Sequence, residues 1–192
     1  MLHDIIFNRE KEGEICFMNQ ILKATKKDIP EIKHIMDTGL ASVQDKTWYV
    51  VDDVEFLERH VEEEGYILKY MADDVIAGFL VVRHPGMAED NLGRYLQKED
   101  KVTHMESAAV LPKFRGQKIQ KKLLQKAEEL EKERGTKYLM CTVHPDNIYS
   151  AGNLEQLGYG CLLEVEKYGG LKRKIMYKEM EQSCSLPKDV LQ

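Results

Sequence analysis

No stretch of this chain comes near the ~18 consecutive apolar residues of a membrane-spanning helix. The opening MLHDIIFNREKEGE holds no apolar run of signal-peptide length either. These two absences point to a cytoplasmic protein with no membrane partner. Cysteine is sparse as well. Cys16, Cys141, Cys161 and Cys184 form no C-x-x-C pair and have no short spacing to histidine. That scatter argues against a disulfide framework and a zinc site, and it suits a reducing compartment. His3, His34, His60, His84 and His144 fall at no ligand spacing, so no metal is assigned. Basic charge is not in excess: 28 lysines and arginines face 33 aspartates and glutamates, a net charge of −5. A nucleic-acid binder needs a basic face, so no nucleic-acid partner is expected.

What is present reads as one globular domain. A chain of 192 residues, 43% hydrophobic and 32% charged, has an ordinary composition and is long enough to bury about 70% of its unfolded surface. Residues 1–16 are weakly patterned and read as an N-terminal extension, 17–181 as the domain and 182–192 as a C-terminal tail. Phe17–Ala24 reads as a strand, and Thr25 offers an N-cap for a helix to about Gly39 with Ile29, Ile32, Ile35 and Met36 on one face. Asp52 and Asp53 open a second helix, where Val54, Leu57 and Val61 recur at helical spacing. Tyr66–Met71 and Val75–Arg83 form a hairpin about Asp73–Asp74. A short helix near Asn91–Leu96 precedes a strand over Val102–Val110. A helix from Ile119 stops at Gly135. A strand over Tyr138–Val143, a helix over Ile148–Gln156 and a hairpin of Tyr159–Glu166 with Lys174–Glu179 complete the order. Strands and helices mixed in this way imply a mixed α/β sheet with helices on both faces. Strand edges near the C-terminus invite pairing with a second copy, so a homodimer is an open alternative.

One segment breaks a local rule. Helix N-termini favour acidic residues by roughly 0.3–1 kcal/mol each. Yet Val110–Leu124, VLPKFRGQKIQKKLL, crowds Lys113, Arg115, Lys118, Lys121 and Lys122 at a helix start, and Glu128, Glu129 and Glu131 come late. Either an anion docks there, where free backbone N–H groups point outward, or the segment is a solvated basic helix end. Set in an acidic chain, the local cluster suits a small anionic ligand.

The V-L-P-K-F-R-G segment at the end of one strand, followed about thirty residues later by H-P-D-N-I-Y-S…L-G-Y, resembles the GNAT superfamily of acyl-CoA N-acyltransferases. The resemblance covers residues 17–180, most of the chain. It implies an α/β fold with a mixed, mostly antiparallel central sheet and helices on both faces. It implies an N-acetyltransferase that moves an acetyl group from acetyl-CoA to a primary amine of a small molecule or peptide. The family's acyl-CoA loop maps onto Arg115, Gly116, Gln117, Lys118, Ile119 and Gln120 as the pyrophosphate cradle, with Lys121 and Lys122 adding charge. Ala108, Ala109 and Val110 would pair their backbone with the pantetheine arm, and Ser150 and Asn153 would face it from the later helix. Asn147 is either a further ligand of that arm or the cap of its own helix.

Three positions depart from the family pattern. Lys118 and Gln120 stand where its [QR]-x-x-G-x-[GA] loop carries small residues, and both are expected to keep ordinary helical angles. Leu154 stands where many members carry a tyrosine that protonates the departing thiolate. Ser150, Leu154 and Leu157 instead share an inward stripe. Tyr149 or Tyr159 is the alternative donor, with Tyr159 better suited to plain packing.

An amine must lose a proton before it attacks. Glu106 is the candidate base, on the strand before the loop, with His104 two residues away on the same face. The Glu106–Tyr149 pair is thus the catalytic set this resemblance implies. Trp48 and Tyr49 are either acceptor-binding residues or a buried anchor, and Tyr168-Gly169-Gly170…Arg173 either lines the acceptor site or serves the hairpin turn. Net acidity and Glu106 favour a cationic acceptor. Because of Lys118, Gln120 and Leu154, a non-catalytic acyl-CoA-binding module stays open beside the enzyme, as does a protein-interaction domain that uses the fold without CoA.

Overall fold

The computed structural model describes residues 19–87 and 90–181. The extension at 1–16, the first two residues of the expected strand at Phe17 and the tail at 182–192 lie outside the described residues. Seven strands form one sheet: β1 Gln20–Lys23, β2 Gly65–Ala72, β3 Val75–Arg83, β4 Val102–Val110, β5 Tyr138–Val143, β6 Gly160–Lys167 and β7 Leu171–Glu179. Their spatial order is β1-β2-β3-β4-β5-β7-β6. Every neighbouring pair is antiparallel except β4 and β5, which run parallel.

Helices cover both faces because the strands alternate. On β2 and β3, Tyr66, Leu68, Tyr70, Leu80 and Val82 face α3 (Ile119–Arg134) and α4 (Ile148–Gln156). Ile67, Phe79 and Val81 face α1 (Ile29–Ser42) and α2 (Val54–Glu62). The expected stripe of α1 is the buried one: Ile29 is 3% exposed, and Ile32, Ile35 and Met36 are fully buried. A fully buried side chain of this kind contributes about 1.5–3 kcal/mol, which fixes α1 against the sheet.

Local physics moves some boundaries. Thr25 and Asp28 form a reciprocal cap, but around a short 3-10 turn at Lys26–Asp28, so α1 begins at Ile29 rather than at the cap. It also runs past Gly39 to Ser42. Gly39 does not stop the helix. A Cβ there would stand 3.3 Å from the Ala109 side chain, so glycine lets α1 lie close on β4. In α2, Val54 is 44% exposed and the inward stripe is carried by Leu57 and His60. The segment at Asn91–Leu96 is a 3-10 helix capped by the Asn91 side chain. β7 starts at Leu171, three residues early, because Leu171–Arg173 pair with Val165–Lys167 across the turn.

Candidate active site

The site begins where the sheet opens. Parallel pairing of β4 with β5 lasts only from Val102↔Tyr138 to His104↔Met140. Both strands continue beyond it, to Val110 and Val143. β4 stays paired with β3 on its other side, and there the register slips: Leu80 opposes Ala108 while Val82 opposes Met105. One extra residue therefore sits on β4 at Glu106–Ser107. Such a bulge re-aims side chains and twists the strand. Here Glu106 and Ser107 both line one cavity, together with His104 and Met105. Past the bulge, the backbone edge of Ala108, Ala109 and Val110 faces the gap left by β5.

The turn after β4 builds an anion cradle. Arg115 is extended, and the chain enters α3 within three residues. Gly116 takes φ 81° and Lys118 takes φ 60°, ψ 23°, both left-handed. Lys118 therefore does not keep helical angles. It adopts the conformation for which glycine is suited, because the tight entry requires it. The first helical bond runs from the Lys122 N–H to the Lys118 carbonyl at 3.0 Å. The N–H groups of Ile119, Gln120 and Lys121 are left without intrahelical acceptors. The cations divide by partner. Arg115 Nη2 donates to Ser42 Oγ at 2.6 Å, Lys121 Nζ to Gln156 Oε1 at 3.0 Å and Lys122 Nζ to Tyr70 Oη at 3.2 Å. Lys113 lies 4.8 Å from the Phe114 ring. Exposed Lys118 has no polar side-chain partner among the described residues. Unpaired N–H groups around a free ammonium fit a diphosphate.

α4 is tied to this cradle. Asn147 Oδ1 accepts from the Ser150 N–H at 3.1 Å and so caps its own helix. Gln120 spans the two helices, donating to Ser150 Oγ at 2.9 Å and accepting from Asn153 Nδ2 at 2.8 Å. Leu154 packs inward at 3% exposure, whereas Tyr149 stands 75% exposed and lines no part of the cavity. Tyr159 is buried among the residues facing α3, its hydroxyl without a hydrogen-bond partner.

The cavity, about 240 Å³, lies on the α1–α2 side of the gap. Trp48, Tyr49 and Asp52 line it from the loop before α2, Arg83 from β3, Cys141 and Thr142 from β5, and Tyr168 and Arg173 from the β6–β7 hairpin. Burial pushes the Glu106 carboxyl above its ordinary range; nearby Arg83 opposes the shift and Asp52 adds to it. Asp52 is raised by burial too, and it accepts a hydrogen bond from Ser107 Oγ, which opposes the shift. Burial pushes the Cys141 thiol up to about 12, with Glu106 adding to the effect.

Two neutral histidines frame these charges. His60 Nδ1 lies 2.6 Å from the Phe56 carbonyl, while its Nε2 accepts from Arg83 Nε at 2.9 Å. That arrangement fixes the Nδ1–H tautomer, and burial pushes His60 down to about 4. Arg83 Nε is also 3.6 Å from Glu106 Oε1, so His60 helps to position the guanidinium that faces the carboxylate. His104 Nε2 accepts the Leu92 N–H at 2.9 Å, and burial pushes this ring down to about 4 as well. Its proton therefore sits on Nδ1, a buried donor with no partner.

The structure thus brings Glu106, His104, Trp48 and Tyr49 to one cavity, and Tyr168 and Arg173 with them. It places Gln120, Ser150 and Asn153 together elsewhere. Sequence reading missed Asp52, Arg83 and Ser107. The signals were faint. Of the doubled Asp52–Asp53, only Asp53 caps α2, accepting from the Phe56 N–H at 2.7 Å, which leaves its neighbour free to turn inward. Arg83 is a lone cation closing the apolar run VIAGFLVV.

Comparison with known proteins places the chain and its fold. The sequence profile of the Acetyltransferase (GNAT) family matches residues 30–159. No curated protein sequence matches the chain. The structure is similar to the ribosomal-protein-S18-alanine N-acetyltransferase of Escherichia coli, with a TM-score of 0.68 and 17% identity over 88% of this chain and 97% of that one. It is also similar to yncA of Salmonella typhimurium, whose structure contains its cofactor acetyl-CoA, with a TM-score of 0.65 and 16% identity over 87% and 96%. The ribosomal-protein-alanine N-acetyltransferase of Brucella melitensis gives 0.65 and 20% over 84% and 99%. At these identities the likeness is one of fold.

Proposed function

The chain belongs to the GNAT acetyltransferase family, whose acyl donor is acetyl-CoA, and we propose that it is an N-acetyltransferase whose acceptor is a primary amine held in the cavity at Glu106. One observation carries the reading: a desolvated carboxylate stands at the bulge where β4 parts from β5, between the anion cradle and the cavity. Acetyl-CoA supplies an activated acyl carbon and a leaving thiolate. An ammonium of lysine type has a pKa near 10.4, so the amine arrives protonated. Glu106, whose proton affinity burial raises, accepts its first proton as general base. The freed nitrogen lone pair forms the C–N bond as the C–S bond breaks. The second amine proton passes to the sulfur, giving an amide, a thiol and a protonated Glu106 that returns its proton to water.

Arg83 tunes this carboxylate. Its guanidinium opposes the burial that favours the neutral acid, and neutral His60 holds that guanidinium without competing for the proton. Backbone N–H groups of the cradle and the Lys118 ammonium would hold the diphosphate, and the open edge of Ala108–Val110 the pantetheine amides. A second reading, a non-catalytic acyl-CoA-binding module, is favoured by Leu154, a packed leucine where a phenol would protonate the sulfur. Thiols ionise near pH 8.5, so proton transfer from the amine itself suffices in the first reading. Release of CoA thiol over a panel of amines separates the two. Glu106→Gln is expected to lower kcat by about 10²–10⁴-fold and to abolish the acidic limb of the pH profile. Unchanged turnover and pH profile would remove Glu106 from the mechanism, and acetyl-CoA binding with no thiol release would favour the second reading.

A further inference from the structure

The cations around the cavity are not equally satisfied. Arg83 has His60, Glu64 and Glu106 beside it, and Lys167 is paired with Asp90. Arg173 differs. It is only 3% exposed and lines the cavity from β7. Its one hydrogen bond among the described residues runs from Nη1 to the Lys172 carbonyl at 2.8 Å, and it forms no ion pair among those residues. The Tyr168 ring, 5.4 Å from the guanidinium carbon, offsets part of the desolvation. A guanidinium cannot escape by losing its proton, and an unpaired buried charge costs several kcal/mol. The two-pronged donor geometry of arginine matches a carboxylate.

His104 lines the same cavity from β4 and carries a second unpaired donor. The Nδ1–H of His104, on a side chain only 2% exposed, has no acceptor. Glu106, the base for the amine, lies on β4 between the levels of His104 and Arg173. β7 lies two strands from β4. Arg173 is one residue before Lys174, which opposes Val143 of β5, and His104 opposes Met140. Carried along the strands, that register offsets Glu106 and Arg173 by about two residues, on either side of the gap between β4 and β5. Their side chains close on a cavity smaller than the roughly 300 Å³ of drug-sized pockets.

We propose that the acceptor is a small amphoteric amine, a free amino acid or a close analogue, whose amine faces Glu106 and whose carboxylate pairs with Arg173. This rests on the N-acetyltransferase reading and narrows its substrate class. An amine without a carboxylate leaves Arg173 unpaired. A peptide N-terminus carries its carboxylate far from the amine and meets the same penalty.

The test compares the twenty L-amino acids with their carboxamides as acceptors for acetyl-CoA, by thiol release and by titration calorimetry. For the wild-type protein, kcat/KM for the preferred acid is expected to exceed that of its amide by about 30- to 1,000-fold, the range for a buried charge pair. In Arg173→Gln the preference for the acid over its amide is expected to fall to within about threefold, read as the ratio of the two rates in one preparation, while circular dichroism and Tm report that the variant folds. Arg173→Lys keeps part of the preference. Equal turnover of acids and amides by the wild-type protein, a comparison that needs no variant, would overturn the proposal, as would a preference that survives Arg173→Gln. If no amine releases thiol, catalysis is what fails, and calorimetry decides separately. Binding of an acid but not its amide supports the Arg173 site, and no such difference refutes it.

Discussion

Lys118→Gly separates the two jobs of one residue. Lys118 sits at φ 60°, ψ 23° at the entry to α3, a conformation that costs an L-residue about 1–2 kcal/mol relative to the right-handed region. Glycine removes that cost but loses about 0.5–1 kcal/mol more chain entropy on folding. The balance favours Lys118→Gly by up to about 1 kcal/mol, a rise in Tm of about 2–4 °C for a chain of this size. The ammonium of Lys118 has no partner of its own, so its removal falls on ligand binding. The KM for acetyl-CoA is expected to rise up to about fivefold, as for a partly exposed charge pair, with kcat unchanged and the difference fading at high salt. Lys118→Ala keeps the Cβ, so it reproduces the KM effect without the gain in Tm. Gly116→Ala is the converse control. A Cβ there meets nothing within 4 Å, so any loss comes from φ 81° alone and is expected near 1 kcal/mol. Differential scanning calorimetry and steady-state kinetics read both effects. A fall in Tm for Lys118→Gly, or a KM that moves in Lys118→Gly but not in Lys118→Ala, would refute the assignment.

Two further predictions concern buried polar groups away from the cradle. Glu131, 1% exposed on α3, accepts from Thr103 Oγ1 at 2.7 Å, Thr136 Oγ1 at 2.5 Å and Tyr66 Oη at 3.1 Å; Glu131→Ala orphans the Tyr66 hydroxyl and leaves the Thr103 and Thr136 hydroxyls, 3.2 Å apart, only each other, and is expected to cost about 2–4 kcal/mol in urea unfolding with acetyl-CoA KM unchanged, and a loss under 1 kcal/mol would contradict the network. His104 lies at about 4 when folded against about 6.5 unfolded, so the unfolded chain binds the extra proton between those values and the stabilisation from a neutral His104 is full above pH 6.5 and lost as pH falls toward 4. Asp52 and Glu106, raised by burial, titrate in the opposite sense, so the difference between wild type and His104→Gln is the quantity to follow. That difference should shrink by about 2 kcal/mol from pH 7 to pH 5; a difference independent of pH would show that His104 is not held neutral.

Periodic features were legible in the sequence and solitary ones were not. The stripe of Ile29, Ile32, Ile35 and Met36 marks the buried side of α1 because four residues repeat one instruction. The motif order at Val110–Gly116 and Asn147–Tyr159 marks the fold for the same reason. Glu131 repeats nothing. It reads as one more acid late on a charged helix, and only the three hydroxyls brought from Tyr66, Thr103 and Thr136 explain its burial. Lys118 misleads in a different way, since residue type suggests helical angles while the length of chain between Arg115 and α3 imposes left-handed ones. Asp52 is invisible next to Asp53 because both are good caps, and the choice between them is made by Ser107 on a distant strand.

The three departures from the family pattern lie on one side of the sheet, and this decides what they affect. Gln120 and Leu154 belong to the α3–α4 face, where Gln120 bridges the helices through Ser150 and Asn153 and Leu154 is part of the packed core. Lys118 caps the same helix. None lines the cavity, whose residues come from the loop before α2, the β4 bulge and the β6–β7 hairpin. The two halves meet only at the gap beyond His104 and Met140, where Glu106 and Cys141 sit. In the proposed reaction, changes on the α3–α4 face therefore bear on how the diphosphate end of the acyl donor is gripped and how its sulfur gains a proton. The cavity, with Glu106, Arg83, Asp52 and Arg173, is built independently of them. In the proposed N-acetyltransferase, Leu154 bears on how the thiol departs and leaves the base at Glu106 untouched.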